Sequence, residues 1–229
     1  MALTIHHLQT SQSERLPWLC EELNIPYTLV LHQRAPIFSP ESIKTLHPLG
    51  SAPILQDGDL TLAESSACVE YIINIYGGGR LALKPGHKNY AAYLYWFHFA
   101  NCTLQPAILM QLQLSRMDPE SKSPATTRAR ERFEKLLGFV DGRLRGSEWL
   151  AGEEFTAADV MTVFSFTTMR VFYGFSLGGY EGILEWLRRC VGRRAYVNAR
   201  EKADRGLELM VGSEAPRGFV ERLKSEGKL

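Results

Sequence analysis

The sequence predicts two units in series, a small α+β domain followed by an all-helical one, and three observations support this. Up to Tyr76, short β-rich runs alternate with short helical patterns. The triplet Gly77-Gly78-Gly79 and the pair Pro85-Gly86 then interrupt every periodicity. From about Lys88 onward, apolar residues recur at helical spacing and strand signals fade. The expected boundary divides residues 1–86 from residues 87–229.

In the first unit, Leu3 to His7 reads as a short strand. Ser13 to Leu23 reads as a helix with Leu16, Leu19, Cys20 and Leu23 on one face, and Pro17 falls in the first turn, where a missing N–H is harmless. Asn24-Ile25-Pro26 ends it, and Tyr27 to Leu31 supplies a second strand. Glu41 to Leu46 fits a short helix. Pro53 introduces a third strand, Asp57-Gly58 a hairpin turn, and Leu60 to Ala63 a fourth strand. Glu64 to Tyr76 is helical, with Ala67, Cys68, Tyr71, Ile72 and Ile75 as the inner stripe. The order is βαβ-α-ββα.

In the second unit, Tyr90 to about Leu114 forms a long aromatic-rich helix that Pro106 should bend or break. Ser123 caps a helix that opens on Pro124 and runs to about Arg145. Thr156-Ala157-Ala158-Asp159 has capping-box spacing, with Asp replacing the usual Glu, and starts an apolar helix through about Phe172. Helices near Gly182–Cys190 and Arg194–Met210 and a polar tail complete the expected fold.

A chain of 229 residues with 45% hydrophobic and 22% charged residues can bury a core and has the composition of a soluble globular protein. A net charge of +1 gives no electrostatic reason to expect nucleic acid or an anionic membrane as a partner. No apolar run approaches a membrane-spanning length, and no secretory signal precedes the first strand. The four cysteines Cys20, Cys68, Cys102 and Cys190 are widely spread with no metal-ligand spacing, so reduced thiols and a cytoplasmic location are expected. His6 and His7 point to opposite faces of a strand and cannot chelate together, so no metal is expected.

The most informative stretch is Ser51-Ala52-Pro53-Ile54-Leu55, followed by Asp57-Gly58 and Leu62-Ala63-Glu64-Ser65. A proline-led strand, a tight turn, a strand and a helix start set a backbone edge beside a helix N-terminus. Unpaired N–H groups and a partial positive charge there can dock a carboxylate, and Glu64 can take an ammonium. Such a corner suits a small extended peptide that carries both charges. Read without that context, Pro53 is an ordinary edge-strand proline and Glu64-Ser65 an ordinary helix start.

These residues, together with Leu46-His47-Pro48-Leu49-Gly50, Ser11-Gln12-Ser13-Glu14-Arg15 and Phe155-Thr156-Ala157-Ala158-Asp159, resemble the glutathione transferases across nearly the whole chain. The resemblance is closest to the serine-type enzymes of the fungal and bacterial branch. It implies a thioredoxin-like first domain that binds glutathione as co-substrate, a helical second domain and a homodimer. It also implies a cis bond before Pro53 that presents Ala52 as an unpaired edge to the cysteinyl part of glutathione. Glu64 and Ser65 would then hold the γ-glutamyl group, with Ser51 alongside. Many relatives carry Lys at the position of Ser51, where it meets the glycyl carboxylate. Here Lys44, Arg34, His32 and His47 are the nearby cations, and the sequence does not choose among them.

A hydroxyl just before the first helix lies at the helix's positive end. Ser11 is the first candidate to activate the glutathione thiol, Ser13 and Thr10 are its rivals, and a plain helix cap is the alternative reading. No cysteine or tyrosine between Leu3 and Trp18 offers itself instead. Tyr93, Trp96, Phe97 and Phe38 are expected to form the apolar wall for a hydrophobic electrophile, although aromatics at helical spacing also suit a core. The expected reaction is conjugation of the thiolate to an apolar electrophile, in detoxification or secondary metabolism. The alternatives are a glutathione-dependent isomerase or tailoring enzyme, or a non-catalytic relative with a regulatory or assembly role.

Overall fold

The computed structural model describes residues 3–229. A four-stranded sheet is ordered β2-β1-β3-β4, with β1 (Thr4–Leu8), β2 (Thr28–His32), β3 (Ile54–Asp57) and β4 (Leu60–Ala63). β1 runs parallel to β2 in the register Ile5↔Leu29 and antiparallel to β3 in the register Ile5↔Leu55. β3 and β4 form a hairpin closed at Asp57↔Leu60, where Gly58 takes the positive φ of 58° that its turn requires. Helices α1 (Arg15–Leu23), α2 (Glu41–Lys44) and α3 (Ser65–Tyr71) complete this half. Residues 77–89 carry no helix or strand. The second half holds α4 (Tyr90–Phe99), α5 (Gln105–Met117), α6 (Pro124–Arg145), α7 (Ala157–Phe166), α8 (Glu181–Val191), α9 (Arg194–Ala203) and α10 (Phe219–Ser225).

One hydrophobic core crosses both halves. Ile5 and Leu55 of the sheet, Leu16 and Leu19 of α1, and Val69 of α3 belong to the same buried cluster as Phe97, Val160 and Trp186. Trp18 of α1 meets the rings of Phe155 and Tyr196 at 5.6 and 4.9 Å, and Arg193 grips Glu22 through two nitrogens at 2.6 and 2.8 Å. A smaller cluster of Leu8, Ile43, Ala52 and Ile54 lies on the other face of the sheet. It anchors Ala52 through its side chain.

Several helices end elsewhere than periodicity predicts. The track from Tyr90 is interrupted by a wide π-turn at Ala100–Leu104, where Gln105 donates back to Ala100. Pro106 has no N–H for the ordinary i→i−4 bond, and the turn ahead of it widens. α7 stops at Phe166 instead of Phe172, and a short 3₁₀ turn follows at Thr168–Val171. There the buried Arg170 donates to the carbonyls of Phe175 and Gly212, which pulls the chain off the helix axis. α9 ends at Ala203, short of Met210, ahead of Gly206 at φ 79°. The expected polar tail contains α10, whose Phe219 ring meets Phe172 at 5.1 Å. Among the described residues no helix is long and apolar enough to cross a membrane, and no His/Cys/Asp/Glu cluster could hold a metal.

Candidate active site

The Ala52–Pro53 peptide bond is cis. Ala52 lies just before β3, outside the ladder that begins at Ile54, and its backbone has no partner among the described residues. Ser51 beside it is exposed. This is a free backbone edge on a side chain rooted in the small cluster.

At the corner between β4 and α3, Glu64 has φ 69° and ψ 115°, a left-handed backbone that costs a non-glycine residue about 1 kcal/mol or more. Its side chain is exposed and unpaired among the described residues. Ser65 lies differently from its expected place. It is fully buried, and its hydroxyl accepts from Arg15 at 2.8 Å and from Asn101 at 3.1 Å, with Gln12 Oε1 3.5 Å away. The hydroxyl expected to meet a ligand carboxylate is therefore already committed to the protein. The groups left for an anion are the first-turn N–H groups of Ser65 and Ser66, which no described residue accepts.

Beneath this corner lies Arg15, fully buried, which was not expected as a site residue. Its guanidinium donates to Gln12, Ser65, Asn101 and Gln105 at 2.8–3.1 Å and lies over the Phe164 ring. Burial pulls its pKa down to about 9, with Glu14 pulling the other way. None of its four hydrogen-bond acceptors is a carboxylate. Its charge therefore favours an anion at the corner above it. The wide turn before Pro106 carries Asn101, and Gln105 follows directly, so both reach Arg15. The sequence traces of this hub were Gln12 and Arg15 within the Ser-Gln-Ser-Glu-Arg motif and Ser65, with nothing to join them to Asn101 and Gln105.

The three candidate hydroxyls separate clearly. Ser11 caps the 3₁₀ turn Gln12–Glu14, accepts from Ser13 N–H at 3.2 Å and retains 7% exposure. Ser13 has none, and its Oγ contacts Ser11 Oγ, His7 Nδ1 and Leu8 N–H. A buried Ser13 cannot meet a ligand directly. Thr10, at φ 57°, uses its N–H on Asp204 and its C=O on Arg34.

The four nearby cations separate too. Arg34 is committed to the carbonyls of Gln9, Thr10 and Ile37, and His32 to Ser42 and His6. His47 is half-buried and accepts from Leu49 N–H. Lys44 is exposed, and its side chain packs so close to Gly50 that a Cβ there would lie 3.0 Å from its Cγ. The Lys44 stem thus packs on the residue before Ser51, while its ammonium lies 3.6 Å from the exposed Glu41 carboxylate.

The expected aromatic wall is not a wall. Tyr93, Trp96 and Phe97 are at most 6% exposed and belong to the core, because α4 packs against α7 with that face. Phe38 is 73% exposed, on a loop, away from them. A cavity of about 210 Å³ opens beside Thr10, with Val171, Met210 and Phe219 on its apolar side and Arg34, Arg200 and Glu208 among the charged residues that line the rest. The wall residues Val171 and Phe219 lie where helix ends depart from simple periodicity, which is why sequence reading did not find them.

The chain matches known proteins along most of its length. The family models "Glutathione S-transferase, N-terminal domain" and "Glutathione S-transferase, C-terminal domain" match residues 11–75 and 103–194. Glutathione S-transferase 3 of Schizosaccharomyces pombe is 32% identical over 218 residues, covering 88% of each chain. Glutathione S-transferase GstB of Escherichia coli is 33% identical over 147 residues, covering 61% of this chain and 69% of that one. A glutathione S-transferase crystal structure from Actinobacillus pleuropneumoniae superposes with a TM-score of 0.81 at 31% identity, covering 90% of this chain and 94% of that one. With one family model matched in the sheet half, another in the helical half, and a relative 32% identical over 88% of each chain, this chain belongs to the glutathione S-transferase family.

Proposed function

We propose that this transferase holds glutathione along Ala52-Pro53 and the corner at Glu64, with the sulfur beside Ser11, and joins it to an apolar electrophile. The unpaired backbone of Ala52 carries this reading. An extended peptide can add to it as a short strand, donating and accepting main-chain hydrogen bonds. Glu64 then faces the γ-glutamyl ammonium, the first-turn N–H groups above Arg15 face the γ-glutamyl carboxylate, and Lys44 takes the glycyl carboxylate in place of a residue at Ser51.

The chemistry needs the thiolate. A thiol of pKa about 8.5 is only about 3% ionised at neutral pH, whereas one lowered by two units is about 75% ionised. A hydrogen bond from Ser11 favours the charged form. The thiolate attacks an electrophilic carbon of a compound that enters through the cavity beside Thr10, against Val171, Met210 and Phe219. The exposed Leu94, Tyr95 and Phe139, on the outer faces of α4 and α6, offer an apolar surface for a homodimer. The four free cysteines fit a reducing, cytoplasmic setting.

Calorimetric titration with S-methylglutathione, followed by turnover of an activated aryl halide with glutathione, tests the proposal. Saturable binding that is lost in Glu64→Ala, with turnover lost in Ser11→Ala, is expected. Turnover at the wild-type rate in Ser11→Ala, or no binding by the wild-type protein, would refute it.

A further inference from the structure

The geometry points to an inward proton path from Ser11 through Ser13 to the buried His7–Asp204 pair, which takes up the proton that glutathione loses on becoming a thiolate. The inference rests on the proposed placement of the sulfur beside Ser11.

The contacts are continuous. Ser11 Oγ lies 2.6 Å from Ser13 Oγ, Ser13 Oγ lies 2.8 Å from His7 Nδ1, and His7 Nε2 lies 3.2 Å from Asp204 Oδ1. His7 and Ser13 have no exposed surface, and Asp204 has 2%. Only the Ser11 end reaches solvent. The cap itself needs Ser11 alone; behind it Ser13 of the same 3₁₀ turn, His7 of β1 and Asp204 at the end of α9 stand in one hydrogen-bonded line.

Counting protons and lone pairs shows what the chain can do. Ser13 Oγ has one proton and two lone pairs, and Leu8 N–H occupies one lone pair at 3.1 Å. One proton and one lone pair remain for Ser11 and His7, and with the proton on either of these shorter contacts, in preference to the Leu8 carbonyl at 3.3 Å, the hydroxyls all point the same way. With neutral His7, Nε2–H donates to Asp204, Ser13 donates to Nδ1, and Ser11 donates to Ser13. Ser11 then offers its second lone pair outward, since Ser13 N–H uses the first.

When a thiol donates to that lone pair, its S–H bond breaks and the proton joins Ser11. The Ser11 proton passes to Ser13 and the Ser13 proton to Nδ1. The products are a thiolate and an imidazolium, and every hydroxyl now points outward, with Ser11 donating to the sulfur. Thiol ionisation and the reversal of Ser11 into a donor are thus one event. No proton leaves for bulk solvent.

The surroundings favour the ion pair. Asp204 also accepts from Thr10 N–H and lies 3.5 Å from Arg200. Burial works against its ionisation, but His7, Arg200 and Thr10 more than offset this and hold the carboxyl below its usual range. Glu14, of the 3₁₀ turn, and His32, of β2, are the other titratable groups that feel His7. Glu14 spends its carboxylate on Thr168 and Arg200 and makes no bond to the hydroxyl chain, so it modulates the path without belonging to it. His7 and Asp204 are positioning and proton-holding residues and do not touch the substrate.

The test follows the proton. On the wild-type protein near pH 7, the thiolate formed on binding glutathione is read from its ultraviolet absorbance. Proton release is read by calorimetry in buffers of different ionisation enthalpy. A thiolate without matching proton release is expected, whereas release equal to the thiolate formed overturns the path, and this arm needs no variant. In Asp204→Asn the bound thiol should titrate about one unit higher, with kcat/KM near neutral pH lowered about tenfold and recovering as pH rises. S-methylglutathione, which has no thiol proton, should bind within about twofold of wild type. An unchanged thiol titration in folded Asp204→Asn overturns the path while leaving the glutathione site standing. A wild-type protein that does not bind S-methylglutathione removes both.

Discussion

Replacing Asp159 with alanine should unfold this protein at a much lower temperature without touching its glutathione site. The carboxylate is fully buried at the start of α7. Oδ1 accepts from Leu150 N–H at 3.0 Å and from Trp186 Nε1–H at 2.9 Å, and Oδ2 accepts from Thr156 N–H at 3.0 Å and from its hydroxyl at 3.3 Å. Asp159→Ala leaves three N–H groups buried with no acceptor, since Leu150, Thr156 and Trp186 have no exposed surface. Each such orphan costs about 1–3 kcal/mol. One relief opposes this loss, because burial raises the Asp159 pKa and its four donors pull the other way, so the charge itself is held at a cost. The balance is about 3–5 kcal/mol, and for a chain of this size that lowers Tm by roughly 6–20 °C. Scanning calorimetry of wild type, Asp159→Ala and Asp159→Asn reads it, with Asn intermediate because its amide supplies one acceptor and one misplaced donor. S-methylglutathione affinity, measured well below the transition, should hold. A Tm for Asp159→Ala within about 2 °C of wild type would show that the loop 147–152, α7 and Trp186 are not joined through this carboxylate.

Glu14, buried beside Thr168, has its carboxyl raised to about 7 from 4.5, chiefly by burial. The folded state then keeps a proton that the unfolded state has lost, so this group's stabilising effect is full below pH 4.5 and fades as pH rises towards 7. Urea unfolding of Glu14→Gln should show a flatter stability–pH slope over that range, by on the order of 3 kcal/mol, and parallel slopes would refute the assignment. Glu64→Gln should weaken glutathione by about tenfold or more, since it removes a charged partner of the ammonium. An analogue lacking that amino group should not distinguish the two proteins, and a calorimetric titration that finds a difference would contradict the contact. Lys44→Ala should cost at most about fivefold, as befits an exposed charge, and the loss should vanish for glutathione amidated at its glycyl end.

The strand–turn–strand–helix corner was legible because its parts lie close in sequence, whereas the cis bond at Pro53 came only from the family resemblance. Pro53, the Asp57-Gly58 turn and Glu64 follow one another along a single hairpin, and local backbone preferences largely dictate their geometry. The capping box of Thr156 and Asp159 was legible for the same reason. The aromatic wall was misread because helical periodicity reports which residues share a face without saying what that face packs against. Tyr93, Trp96 and Phe97 proved to be core. The extra contacts of Asp159 with Leu150 and Trp186 were likewise hidden, since Trp186 comes from a different helix.

The sequence by itself determined the order of the strands and most of the helices, the hairpin turn at Asp57-Gly58, and a group of hydroxyls, Thr10, Ser11 and Ser13, ahead of the first helix. Those features depend on neighbours a few residues apart, where backbone preference, turn chemistry and capping act. The tertiary structure alone decided that Ser65 is committed to Arg15, that the Lys44 stem packs on Gly50, and that the hydrogen bonds behind Ser11 end on Asp204, 197 positions along the chain from His7. Such pairings arise only when packing brings remote elements together and leaves each buried polar group to find its partner.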